Sequence, residues 1–242
     1  MSLEAAKELA PTGVLRAAIN MSNFLLVTGP TAGGDPDGVS PDMARELAKR
    51  LGVDLELIQY KTPGEVSDDA GKGIWDIGNI GAEPKRAEKI DFTAAYCEIQ
   101  STYMVPPGSK ITSLDQVDQT GNKIAVSARS AYDLWLERNI KNAELVRVDG
   151  IDASFDIFME KKLEALAGLR PRLISDVERV PGAKILEGQF TAVQQAMVCT
   201  RGKDIGARFL KEFVEEMKST GFVGRLIEKH DVVGRLSVAG PA

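Results

Sequence analysis

Two long, largely apolar stretches, "YCEIQSTYMVP" (Tyr96–Pro106) and "FTAVQQAMVCT" (Phe190–Thr200), interrupt an otherwise regular alternation of short strands and helices. Each is long enough to cross between two lobes. Before the first, "GVLRAAIN" (Gly13–Asn20), "DGVSPDMARELAKRLG" and "DLELIQY" (Asp54–Tyr60) read as strand, helix and strand, the opening of a parallel α/β unit. In that helix Met43, Leu47 and Leu51 form a stripe at four-residue spacing. Ser40 is the expected N-cap, Pro41 suits the first turn, Asp42 suits the positive end of the helix dipole, and Gly52 is the stop. A short strand "WDIGNIG" and a short helix "PKRAEKI" follow.

Between the two long stretches lies a second α/β set: strand "KIAVS", helix "SAYDLWLERNI", strand "AELVRVD", helix "DASFDIFMEKK" and strand "LEALAGL". After the second stretch come only helices, "IGARFLKEFVEEMKSTG" and "FVGRLIEKH". The simplest path is a discontinuous first lobe, 1–101 with 192–242, an inserted second lobe, 102–191, and two crossing segments as a hinge. Ligands of such sheets bind outside the carboxyl ends of the strands, which here means the cleft between lobes.

The net charge of −5 argues against a nucleic-acid or anionic-membrane partner. No apolar run approaches the roughly 18 residues that span a bilayer. The start, "MSLEAAKELAPTG", shows no secretory h-region, so a trimmed leader and a natural lack of one both stand open. With two cysteines and one histidine, a Cys/His zinc site is not expected, nor is any other cofactor. His230 reads as a surface residue at a polar helix end. Cys97 and Cys199 sit on the two crossing segments, and two readings stand: a disulfide suited to an oxidising compartment, or two separate buried thiols.

The segments "GVSPDMARELAKRLGVDLELI", "WDIGNIGAEPKRAEKIDFTAAY" and "STYMVPPGSKITSLDQV" resemble the family 3 extracellular solute-binding proteins, with "R-x-x-x-I-D-F-T-x-x-Y" (Arg86–Tyr96) the most specific part. The resemblance implies the α/β, two-lobed type II periplasmic-binding-protein clamshell with two hinge-crossing segments. It also implies a monomeric, periplasmic receptor that captures a small polar solute by lobe closure and delivers it to the membrane permease of an ABC importer. A cytoplasmic or sensor-linked binding domain is the alternative location.

By the same resemblance, Arg86 forks onto a ligand carboxylate, a geometry that suits two parallel guanidinium donors. Ser130, at the start of "SAYDLWL", offers a hydroxyl and free helix-start amides to an anion. Arg129 stands where the family has glycine, facing either the cleft or solvent. Asn20, Asn23 and Phe24 follow the first strand, and Phe24 either stacks on the ligand or belongs to the core with Leu25, Leu26 and Val27. Asn79 and Gly81 end "WDIGNIG" and offer amide or backbone hydrogen bonds. Glu83 replaces an expected threonine and stands near Arg86.

In "KKLEALAGLRPRL" the family's aspartate for the ligand's α-ammonium falls on Leu169, and no acid occurs from Ala165 to Ile174. Leucine cannot compensate a buried ammonium, and Arg170 would repel it. Arg86, Arg170 and Ser130 together favour an anion without a free α-amine. The other reading makes Arg170 and Arg172 solvated charges at a strand end, with Glu83 supplying the ammonium site. A competing class is an enzyme, because cyclohexadienyl dehydratases share this fold; Glu83 or Glu164 would then be the acid.

Overall fold

The computed structural model describes residues 2–242. The chain begins with helix α1 (Ser2–Leu9), which the sequence pattern had not indicated, and enters strand β1 (Val14–Asn20). A minimal hairpin, β2 (Gly29–Pro30) with β3 (Pro36–Asp37), leads into helix α2 (Val39–Leu51). Strand β4 (Asp54–Tyr60), helix α3 (Pro63–Asp68), strand β5 (Ile77–Gly81), helix α4 (Pro84–Ala87) and the 16-residue strand β6 (Ile90–Val105) follow.

Helix α2 starts earlier than its sequence suggests. Gly38, not Ser40, is the N-cap, and no side chain caps the helix. The reason is a close approach: Gly38 has φ 146°, and a Cβ there would collide with the Leu26 carbonyl. That carbonyl accepts the Ser40 N–H at 3.1 Å. The stripe is as expected, with Met43, Leu47 and Leu51 buried, and each of these side chains contributes about 1.5–3 kcal/mol of burial. Gly52 closes the helix in the left-handed conformation at φ 70°. Helix α3 is fixed by a Thr62–Glu65 capping box with Pro63 in its first turn.

The inserted segment contributes strand β7 (Lys123–Ser127), helix α5 (Ala131–Asn139), strand β8 (Glu144–Val148), helix α6 (Ile151–Glu160), strand β9 (Ala165–Leu169), helix α7 (Arg170–Glu178) and the short strand β10 (Lys184–Ile185). Strand β7 pairs in parallel with β8 and β9, and β9 pairs antiparallel with Ser101–Met104 of β6. Met104, Phe155, Phe158, Leu163, Leu166 and Leu173 form its core. The "LRPRL" stretch is not a strand end running into solvent. It turns at once into α7, with Pro171 in the first turn, where its missing N–H costs nothing.

The chain returns through strand β11 (Thr191–Thr200), then helices α8 (Asp204–Ser219) and α9 (Phe222–Lys229), and ends in strand β12 (Ser237–Val238). Strand β11 lies antiparallel on β5, and β12 pairs with Cys97 and Glu98 of β6. Two compact units result, Met1–Glu98 with Gln194–Ala242, and Ile99–Val193. In the first, Tyr60, Val66, Trp75, Ile80, Ile90 and Val198 pack one core. The thiols are separate: Met197 N–H donates to Thr93 Oγ1 at 3.1 Å, which places Cys199 near Asp91 and leaves Cys97 six residues further along β6, about 20 Å of strand. Both cysteines are free and buried, and burial pushes both thiols up, Cys199 to about 11.

His230 is a correction. Its side chain is only 5% exposed, and Nε2 lies 2.8 Å from Asp42 Oδ2. Lys229 Nζ donates to the same oxygen at 2.7 Å and Arg45 to Oδ1 at 2.8 Å, so Asp42 ties α2 to the end of α9. Burial alone would raise the Asp42 carboxyl; the bonds from Lys229, His230 and Arg45 outweigh it and hold the group below its ordinary value.

Two outcomes follow from these contacts. Gly38→Ala is expected to destabilise the protein by at least about 2 kcal/mol in urea unfolding, since the loop carbonyl of Leu26 would have to move. A carboxyl depressed in the folded state stabilises above its unfolded value and loses that contribution as pH falls through the folded one. Asp42→Asn should therefore lower stability at pH 7 by roughly 1–3 kcal/mol and flatten the loss of stability below about pH 4.

Candidate functional site

In the first unit β1 pairs in parallel with β4 and β5, and the register sets Ile19 beside Asn79 and Asn20 beside Tyr60. The carboxyl ends of three strands therefore leave one edge. Asn20 Oδ1 accepts from the Ser22 N–H at 3.2 Å and hydroxyl at 2.7 Å. Asn23 Oδ1 accepts from Leu25 N–H at 3.2 Å and Leu26 N–H at 3.3 Å. Both asparagines thus build the turn after β1. Leu25, Leu26 and Val27 are buried but Phe24 is half-buried, so Phe24 does not belong with them in the core. The Arg235 guanidinium lies 5.8 Å from its ring centroid.

Asn79 is 2% exposed, and neither its Oδ1 nor its Nδ2 meets a hydrogen-bond partner among the described residues. Leaving such an amide unmatched costs about 1–3 kcal/mol per group. Arg86 is not a surface residue. It is 5% exposed, and Nη1 donates to the Gly81 carbonyl at 2.6 Å, binding α4 back onto the end of β5. Glu83 is buried at the head of α4, where its carbonyl accepts the N–H groups of Arg86 and Ala87, both at 3.0 Å. Gln195, opposite Gly81 on β11, is a buried polar neighbour that the sequence reading passed over. Its only signal was a Gln-Gln pair inside an apolar strand.

In the second unit β7 and β9 are parallel, so the 127–130 turn and the Leu169–Arg170 step leave the same edge. Ser130 is the N-cap of α5, as expected, and Oγ accepts the Asp133 N–H at 3.1 Å. The Tyr132 phenol is buried, which pushes its pKa up to about 12 even though hydrogen bonds with Ser130 and Ser127 oppose the rise. Arg129 is exposed and takes the left-handed backbone of a glycine, φ 60°, a conformation that costs about 1–2 kcal/mol for a residue with a Cβ. Its N–H donates to Asp133 Oδ2 at 2.7 Å. Asp133, absent from the sequence reading, is 2% exposed, and Arg147 Nε meets its Oδ1 at 2.8 Å.

Leu169 is buried and is the N-cap residue of α7, where its side chain makes no cap hydrogen bond. Arg170 is half-buried and held in place: Nη2 donates to the carbonyls of Leu186 and Gly188, while buried Nε meets no partner among the described residues. Arg172, the other cation of this stretch, is paired with Asp152 at 2.7 Å and Asp176 at 3.0 Å. Glu164 is engaged too. Its Oε2 accepts the Lys123 N–H at 2.8 Å, at the amino ends of β7 and β9, the far edge from Leu169.

Donor atoms of Asp37, Asp42 and His230 lie within 4.8 Å of one another, the spacing of a metal site. Lys229 and Arg45 already neutralise Asp42, however, and a cation would have to displace them. No helix of the described residues is long and apolar enough to cross a membrane.

A sequence profile of the bacterial extracellular solute-binding proteins, family 3, matches residues 23–231. The L-cystine-binding protein TcyJ of Escherichia coli (strain K12) is 23% identical over 198 residues, 81% of this chain and 74% of the relative. Among solved structures, the solute receptor for L-cysteine of Neisseria gonorrhoeae has a TM-score of 0.78 at 21% identity, covering 98% of this chain and 100% of that one. The ancestral amino acid-binding protein AncCDT-1, a precursor of cyclohexadienyl dehydratase, has a TM-score of 0.74 at 20% identity, covering 92% and 97%. The fold shared with these proteins is the two-lobed α/β fold.

The Ser130 cap gives a local test of the α5 start. Ser130→Ala should cost about 1 kcal/mol in urea unfolding, the usual loss when an N-cap hydroxyl is removed.

Proposed function

Because the chain belongs to the bacterial extracellular solute-binding proteins of family 3, we propose that it is the substrate-binding receptor of an ABC importer. It captures a small polar anion, a carboxylate without a free α-amine, outside the cytoplasmic membrane, as a monomer, and hands it to a permease. The two compact units are its lobes and β6 and β11 its hinge, and closure follows from ligand contacts made only in the closed state. Arg86 takes one carboxylate, with Asn79 and the Gly81 end of β5 beside it. Ser130 and the free amides of α5 take further negative charge.

The observation that carries the choice of an anion is the β9–α7 step. Leu169 and Arg170 occupy it, and Arg170 is pinned there by two backbone carbonyls. The acids nearest in sequence are committed elsewhere: Glu164 to the opposite strand end, Asp176 to Arg172 and Arg179. A ligand ammonium near this step would meet a fixed cation. The enzyme reading keeps less support, since Glu164 faces away and the likeness to AncCDT-1 is one of fold.

A thermal-shift screen tests the reading. Ligand at a hundred times its Kd stabilises by about 2.7 kcal/mol. Succinate, 2-oxoglutarate and similar small acids are expected to raise Tm, and Arg86→Ala to abolish the rise. Cysteine and cystine, for which similar proteins are named, and the other amino acids are expected to leave Tm unchanged. A clear rise with one ordinary amino acid, lost in Arg86→Ala, would refute the anion while keeping the receptor.

A further inference from the structure

We propose that Asp133, braced by Arg147, is a positioning residue that holds Arg129 in a left-handed backbone and so fixes the direction in which Ser130 faces its ligand. The inference rests on the reading of Ser130 as part of the ligand site.

The chain leaves β7 at Ser127 and becomes helical at Ala131, so three residues must turn it. The turn is made at Arg129, whose φ of 60° a glycine would adopt freely and a side chain resists. Two hydrogen bonds close the turn onto one residue. Asp133 Oδ2 accepts the Arg129 N–H at 2.7 Å, and the Asp133 N–H donates to Ser130 Oγ at 3.1 Å. A carboxylate rotating in solvent would give no such direction. This one is 2% exposed, and its second oxygen is held by Arg147 Nε at 2.8 Å. Arg147 stands on β8, beside Val126 of β7, so the brace is anchored in the sheet and not in the turn it steadies. The carboxylate therefore supplies from outside the conformational bias that glycine would carry in itself.

A cycle of ligand-free thermal melts tests this: wild type, Asp133→Ala, Arg129→Gly and the double variant. Asp133→Ala should lower Tm by several degrees in the Arg129 chain, and by less than about half as much alongside Arg129→Gly. Equal losses in both backgrounds overturn the proposal. Should Asp133→Ala fail to fold, a folded double variant is the rescue the proposal requires, and an unfolded one overturns it. Asp133→Asn keeps the acceptor for the Arg129 N–H and removes the charge facing Arg147. It should lose less Tm than Asp133→Ala, and an equal loss assigns Asp133 to Arg147 alone and overturns the proposal.

Succinate then reports on the site. Its Kd should rise about tenfold when Asp133→Ala is made in the Arg129 chain and change by less than about threefold when it is made alongside Arg129→Gly. A purely structural role predicts the same change in both. If succinate does not bind the wild type, the anion reading fails while the melting cycle still decides the positioning role.

Discussion

Parallel strand pairing is the constraint from which the rest follows. Because β1, β4 and β5 run the same way, Asn20, Tyr60 and Gly81 finish at one edge of their unit. Because β7 and β9 do so, Ser127 and Leu169 finish at one edge of theirs. Helix starts then fall at those edges, and with them unmatched N–H groups and the side chains that follow them. The candidate residues are collected by topology before any of them contributes chemistry. Arg86 shows the next step: a four-residue helix returns its guanidinium to the Gly81 carbonyl, which fixes a cation beside the strand end.

An arginine is anchored at each of the two edges. Arg86 is tied to a carbonyl in one unit and Arg170 to two in the other. The carbonyl partners of Arg170 orient its guanidinium without neutralising it, unlike the carboxylates that take Arg172 and Arg16. That distinction separates Arg170 from the arginines that serve the fold. It also makes the absence of an acid at Leu169 consequential, since Arg170 forms no ion pair among the described residues.

Much of the fold was legible because burial leaves a periodic trace. The Met43–Leu47–Leu51 stripe, the strand "DLELIQY" and the Ser130 cap were recoverable from spacing and residue type alone. What was not legible depended on partners distant in sequence. Ser40 looked like a cap, but the helix starts at Gly38, where the close approach of Leu26 leaves no room for a Cβ. His230 looked exposed, yet Asp42, 188 residues away, covers it. Arg170 looked like a strand-end charge because nothing in "LRPRL" announces the carbonyls of 186 and 188. Within the site, Arg129 was legible as a departure from glycine, while Asp133, which makes the departure tolerable, was hidden as one more acid in a helix.

We propose that this family 3 solute-binding protein takes an acid lacking a free α-amine. It is tested most directly by unfolding the purified protein and analysing by mass spectrometry the small molecules it releases. The account predicts a small carboxylate with no primary amine, present at near-stoichiometric amount and missing from Arg86→Ala. Release of cystine, cysteine or another ordinary amino acid in that amount would contradict it.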